Sequence, residues 1–225
     1  MRNKKNKIFI AIDTNSISKA KKIIKETRTS KIKIGYKFGL EFILSKYGRN
    51  FISKLKNKII FIDLKLNDTV NTMLSAVKAL KDLKINYLTV HISSGLAALK
   101  AVKRISKSTK IIGVTTLTSL NDKDLKLIGY NKSVKNLVTH QAKLAKKAGL
   151  DALVCSPFEV HSVRKIFKKE IITPGIRFNN NSDDQKRFMT PREALKKADW
   201  IVMGRTLTKG NIKKNIEKLI NHLNK

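Results

Sequence analysis

Asp63, Lys65 and Asp68 set two carboxylates and an ammonium within six residues, directly after the apolar run Ile59-Ile60-Phe61-Ile62. So short a run of β-branched and aromatic residues reads as a buried strand. The period of two along a strand puts Phe61, Asp63 and Lys65 on one face. Charges at the end of a buried strand need partners or a chemical task. An ammonium flanked by two carboxylates is pre-positioned and kept protonated by its neighbours, so Lys65 can act both as counter-ion and as proton donor. Asp68 and Thr72, four residues apart, fall on one face of a helix that starts at Asp68, where Asp68 also suits an N-cap role.

The surrounding chain alternates short apolar runs with longer amphipathic stretches. The expected strands are Ile8–Asp13, Lys31–Gly35, Ile59–Lys65, Tyr87–His91, Lys110–Thr116, Ala152–Ser156, Ile171–Gly175 and Trp200–Gly204. Helical patterns lie between them over Ser16–Glu26, Leu40–Leu55, Asp68–Leu83, Leu96–Ile105, Val134–Lys147, Val160–Phe167 and Pro191–Lys197, with Asn211–Leu223 last. Eight βα units in 225 residues predict an α/β protein, a single (β/α)8 TIM barrel over 1–225, with an open α/β sheet as the competing arrangement. In such a barrel the chemistry sits at the carboxyl ends of the strands. Polar residues stand at or just past nearly every predicted strand end: Asp13, Lys33, Asp63 with Lys65, His91, Ser119, Ser156, Arg177 and Arg205. Strand ends meet water in any case, but that does not account for charges of both signs converging from several strands. The polar stretch 179–185 after the seventh strand reads either as a lid over the barrel mouth or as an unconstrained surface loop.

The formal net charge is +33, with 40 Lys, 9 Arg and 16 acidic residues. Such a charge is the usual footprint of a nucleic-acid or anionic-membrane binder. Here the surplus is Lys rather than Arg, the residue suited to bidentate phosphate and base recognition, and it is spread along exposed helix faces. We therefore expect no nucleic-acid and no membrane partner, and a field that helps capture an anionic substrate. The single Cys155 excludes an internal disulfide framework and a multi-cysteine zinc site, and a small buried strand residue suits its place. The basic segment 1–7 precedes only five apolar residues, too short for a signal-peptide core, and no run approaches a membrane span. A soluble protein of a reducing, cytoplasmic compartment is the expectation.

Seven segments, in order, resemble the orotidine 5′-phosphate decarboxylase family: Ala11-Ile12-Asp13, Lys33-Ile34-Gly35, Asp63 to Asp68 with Asn71-Thr72, Leu117-Thr118-Ser119, Thr173-Pro174-Gly175-Ile176-Arg177, Asp184-Gln185-Lys186-Arg187 and Val202-Met203-Gly204-Arg205. The resemblance implies a homodimeric (β/α)8 barrel with active sites shared between subunits. It implies conversion of orotidine 5′-monophosphate to uridine 5′-monophosphate and CO2 in pyrimidine biosynthesis, with no cofactor and no metal. Carried over residue by residue, Lys65 protonates C6 of the pyrimidine and Asp63 lies beside the substrate carboxylate. Lys33 joins the charged network and the ribose, and Asp13 binds a ribose hydroxyl. Asp68 and Thr72 reach the neighbouring subunit's site. Ser119 reads the pyrimidine, Gln185 and Arg205 hold the phosphate, and Pro174, Arg177 and Gly204 count among the substrate-binding positions. The chain departs from many bacterial relatives at Asn67, Thr69, Val70 and Thr206, where those carry His, Ile, Pro and Pro.

Two other readings stand beside this one. A Mg²⁺-dependent sugar-phosphate decarboxylase or aldolase of the same suprafamily shares the Asp-x-Lys-x-x-Asp arrangement. A basic nucleic-acid-binding protein would explain +33 directly, yet the chain shows no zinc-finger spacing or aromatic-basic motif. His140, His161 and His222 fall in helical stretches and read as surface residues, and Trp200 reads as barrel packing.

Overall fold

The computed structural model describes residues 5–178 and 189–224. Eight parallel strands close into a barrel in sequence order, as the alternation of elements predicts. The order is β1 (Lys7–Ile12), α1 (Ile17–Glu26), β2 (Lys33–Gly39), α2 (Leu40–Ile43), α3 (Gly48–Ser53), β3 (Ile59–Leu66), α4 (Val70–Ala79), β4 (Tyr87–His91), α5 (Gly95–Ile105), β5 (Lys110–Val114), α6 (Asp122–Leu127), α7 (Val134–Ala148), β6 (Ala152–Val154), α8 (Val160–Ile166), β7 (Glu170–Thr173), α9 (Pro191–Leu195), β8 (Trp200–Met203), α10 (Arg205–Thr208) and α11 (Ile212–Asn224).

Strand alternation divides the core in two. Ile8, Ile10 and Ile12 of β1, Tyr36 and Phe38 of β2, and Ile60 and Ile62 of β3 point outward into one continuous layer under the helices. Phe9, Ala11, Phe61, Tyr87, Ile112, Ala152, Ile172, Trp200 and Val202 fill the barrel. The Phe9 ring stacks on Trp200 with centroids 4.0 Å apart and meets Phe61 and Tyr87 edge-on at 4.9 and 5.2 Å. This aromatic plug makes the interior a packed floor beneath the mouth, and it uses Trp200 for packing, as expected.

Gly35 makes room for that plug. It pairs with Phe9 across the β1–β2 ladder, and a Cβ added there would sit 2.6 Å from the Phe9 ring. Gly35→Ala is therefore expected to overpack the barrel and destabilise it by about 1–3 kcal/mol, lowering Tm by roughly 2–4 °C per kcal/mol in a chain of this size. Thermal unfolding followed by circular dichroism measures this, and an unchanged Tm would show that the ring is free to retreat.

Three helical expectations change. The pattern over 40–55 breaks into α2 and α3 at a turn over 44–47, which brings Gly48 so close to α2 that an added Cβ would overlap the Phe42 carbonyl oxygen. The helix expected from Asp68 begins two residues later, with Thr69 as its N-cap. An additional helix, α6, is opened by a reciprocal capping box between Asn121 and Asp124, a local signal present in the sequence.

Candidate active site

β1, β2 and β3 carry a row of alternating charges at the carboxyl end of the barrel. Lys37 Nζ stands 3.5 Å from Asp13 Oδ1 and 3.4 Å from Asp63 Oδ2, and Lys65 Nζ donates to the same Asp63 Oδ2 at 2.9 Å. The row Asp13, Lys37, Asp63, Lys65 is neutral in sum, so it can sit at the mouth of an apolar barrel without an unbalanced charge. Asp63 is buried and Asp13 is exposed. Burial pushes the Asp63 carboxyl up, but the Lys37 and Lys65 ammoniums and the hydrogen bonds from Lys65 and Thr89 together outweigh it and hold the pKa below the usual carboxylate range. A carboxyl whose folded pKa is depressed contributes stability that is complete above its unfolded pKa and is lost as pH falls through the folded one. Asp63 is thus ionised across the neutral range.

Lys33 is not part of this row. It opens β2 beside Lys7 of β1, at the amino end of the barrel, and it is exposed. Lys33, Gly35 and Lys37 share the inward face, and Lys37 lies four residues, about 13 Å, farther up the strand. β2 runs on to Gly39, which pairs with Asp63, so the strand does not end at Gly35 as its apolar pattern implied. The network lysine is Lys37. The amino end has its own cluster, in which Glu170 meets Lys7 at 3.5 Å and Lys110 at 2.9 Å and accepts from the Tyr87 hydroxyl at 3.0 Å. Charge at that face bears on stability rather than chemistry.

Lys65 reaches Asp63 through an irregular backbone. Its φ is +50°, in the left-handed region that non-glycine residues seldom adopt. The β3–β4 register slips between Ile62↔Leu88 and Leu66↔Val90, so that four steps on β3 match two on β4. Simple alternation therefore does not describe this strand end; a bulge re-aims the side chain.

Of the remaining predicted positions, Asp68 is exposed and accepts from the Thr69 amide at 2.7 Å. Among the described residues Lys65 is ion-paired with Asp63 and not with Asp68, and Asp68 is not the N-cap of α4. Thr72 is exposed, with its hydroxyl 3.1 Å from that of Thr69. Ser119 is exposed in the turn after β5. Pro174 and Arg177 follow β7, where the Arg177 amide donates to the Met189 carbonyl at 3.3 Å and Ile176 bridges Met189. Gln185 lies outside the described residues. Gly204 ends the run of β8 beside Asp13, with an added Cβ 3.3 Å from Asp13 Oδ2, and Arg205 opens α10 just beyond it.

A family model described as the orotidine 5′-phosphate decarboxylase / HUMPS family matches residues 6–218. The chain belongs to this family. It is 43% identical over 223 residues to orotidine 5′-phosphate decarboxylase of Wolbachia sp. subsp. Brugia malayi, covering 96% of this chain and 97% of the relative. The Ehrlichia chaffeensis protein of the same name is 38% identical over 213 residues, with 90% of each chain covered. Among solved structures, orotidine 5′-phosphate decarboxylase from Lactobacillus acidophilus superposes with a TM-score of 0.83 at 28% identity, over 98% of this chain and all of that one. Orotidine 5′-monophosphate decarboxylase from Methanocaldococcus jannaschii, complexed with inhibitor BMP, shares the fold at a TM-score of 0.78 and 24% identity, over 98% of this chain and all of that one.

In this member of the orotidine 5′-phosphate decarboxylase family, two site residues escape a strand-end reading of the sequence. Lys37 is found by carrying the period of two past Gly35, since Tyr36 and Phe38 keep the outward face apolar. Thr89 is a fully buried hydroxyl of β4 that donates to Asp63 Oδ1 at 3.0 Å and accepts from the Lys65 amide at 2.8 Å. Its signal is a polar residue at an inward position between Tyr87 and His91. Burial and then the Lys65 ammonium push the His91 imidazole below its usual value, so it is neutral at pH 7. Its ring Nδ1 lies 3.2 Å from the Ser93 hydroxyl, and among the described residues no carboxylate is hydrogen-bonded to it to orient it as a base. Cys155 is buried and free; burial, then Glu159, push its thiol up, which removes it as a nucleophile. His140 and His161 are exposed, whereas His222 is half-buried against Phe178, with ring centroids 5.6 Å apart.

Proposed function

We propose that the chain converts orotidine 5′-monophosphate to uridine 5′-monophosphate and CO2, and that the alternating row Asp13, Lys37, Asp63, Lys65 does the chemistry. The row is the observation that carries the reading. Cleavage of the C6–carboxylate bond leaves its electron pair localised on C6, with no π-system to accept it. A site without an electron sink must stabilise that pair electrostatically and then protonate it. Lys65 supplies both, first as the cation facing C6 and then as the donor of the proton, and solvent restores its ammonium afterwards. Asp63, held ionised, opposes the substrate carboxylate before the bond breaks and is relieved when CO2 leaves. Asp13 and Lys37 suit the ribose hydroxyls, Ser119 the pyrimidine edge, and Arg177, Gln185 and Arg205 the phosphate, with Pro174 and Gly204 lining the approach. Phosphate binding after the seventh and eighth strands is a recurrent use of this fold.

The positive charge between Asp13 and Asp63 comes from the Lys37 ammonium, which supports a reaction that needs no metal. Purified protein incubated with orotidine 5′-monophosphate and EDTA should consume the substrate, seen as loss of its absorbance. Activity on a sugar phosphate that EDTA abolishes would instead identify the Mg²⁺-dependent branch of the family.

A two-fold homodimer with shared sites accords with the exposed stretch 67–72 past β3, which holds Asp68 and Thr72, and with the exposed apolar side chains of Leu40, Val70 and Leu117. In a symmetric dimer the same patch meets itself. A mixed dimer of Lys65→Ala and Asp68→Ala subunits then holds one doubly damaged site and one intact site. Each pure mutant is expected to be nearly inactive, and mixing under conditions of subunit exchange should restore activity. No recovery despite proven exchange would place Asp68 in its own subunit's chemistry. Among the described residues no helix is long and apolar enough to cross a membrane, and the free buried thiol accords with a cytoplasmic setting.

A further inference from the structure

We propose that Thr89 is a positioning residue whose single hydroxyl locks the β3 bulge and so holds Lys65 against Asp63. Its oxygen accepts from the Lys65 amide at 2.8 Å, and its hydrogen goes to Asp63 Oδ1 at 3.0 Å. One buried atom therefore ties the backbone of the ammonium residue to the carboxylate of its partner. Asp63 Oδ1 is occupied by this bond, which leaves Oδ2 to face both ammoniums.

The reason for such a clamp lies in the register. Were β3 regular beyond Ile62↔Leu88, Leu66 would lie opposite Ile92; it lies opposite Val90, two residues, about 7 Å, lower along the barrel. The compression brings Lys65 down to the level of Asp63, at the cost of a left-handed backbone at Lys65, which is unfavourable for a residue with a side chain. Such a conformation persists only where its surroundings hold it, and the Thr89 bond to the Lys65 amide is the hold given by a side chain. Valine at 89 has nearly the same shape but leaves two buried polar groups, the Lys65 N–H and Asp63 Oδ1, short of a partner.

The kinetic test rests on the decarboxylase reading. Thr89→Val is expected to lower kcat on orotidine 5′-monophosphate about a hundredfold, the scale of an ångström-sized misplacement of a reacting group, with KM changed far less. Thr89→Ser, which keeps the hydroxyl, should recover most of the loss. The charged and titratable groups around Asp63 are Lys65 on its own strand, Lys37 on β2, Asp13 beyond Lys37, and His91 on β4. All are unchanged in both variants, so an upward move of the Asp63 titration in Thr89→Val alone reports the lost hydrogen bond. Carbon-13 NMR of the Asp63 carboxyl and hydrogen exchange at the Lys65 amide measure this without turnover, and they keep the clamp testable if the wild-type protein fails to consume the substrate. Equal losses in the valine and serine variants, or a valine variant with wild-type kcat, titration and exchange, would overturn the proposal.

Discussion

Lys65→Ala is expected to remove roughly three decades or more of kcat on orotidine 5′-monophosphate, about 4 kcal/mol of barrier. The residue combines two tasks at one atom, electrostatic stabilisation of the electron pair at C6 and delivery of the proton. The fold should survive the change. Asp63 keeps Lys37 at 3.4 Å and the Thr89 hydroxyl at 3.0 Å, so no buried charge is left alone. Steady-state kinetics beside a thermal melt separates the two effects. A folded variant with more than roughly a tenth of wild-type activity, less than one decade lost, would end the assignment of Lys65 as proton donor.

Lys37→Ala should cost about a hundredfold in kcat/KM, close to the 3 kcal/mol expected when one partner of a buried charge pair is truncated, whereas Lys33→Ala should stay within about twofold of wild type, as surface changes usually do. Lys37 neutralises two carboxylates at once, and its loss leaves burial opposed only by Lys65 and Thr89 at Asp63. The sign of the pH effect follows. With one cation gone the Asp63 pKa rises, so the acid limb of kcat/KM shifts to higher pH and the stability contributed by the ionised carboxylate is lost at a higher pH than in wild type. Lys33→Ala should leave the limb in place. A crippled Lys33→Ala beside a healthy Lys37→Ala would reverse the register of β2 given above.

Alternation of elements, polar strand ends and the Asp63-Leu64-Lys65 run were legible without a structure, because burial imposes a period of two on strands and a longer one on helices. The barrel followed from counting those periods. The apolar pattern ends the second strand at Gly35 and makes Lys33 its polar end, whereas β2 runs on to Gly39 and Lys33 and Lys37 both lie on its inward face. What the period cannot say is which level of that face reaches the mouth. That depends on the register β2 takes between its neighbours, Lys7↔Lys33 on one side and Gly39↔Asp63 on the other, and register is a property of three strands together. The break between α2 and α3 likewise lies at a turn over 44–47 that brings Gly48 close to the Phe42 backbone, which helix periodicity does not mark. Lys65 is the sharpest case. Its identity, its neighbours and its strand were all readable, yet the contact at 2.9 Å from Asp63 depends on a left-handed residue in a bulge. Local sequence disfavours that backbone, and a hydroxyl 24 residues away, brought alongside by barrel closure, supplies a bond that holds it.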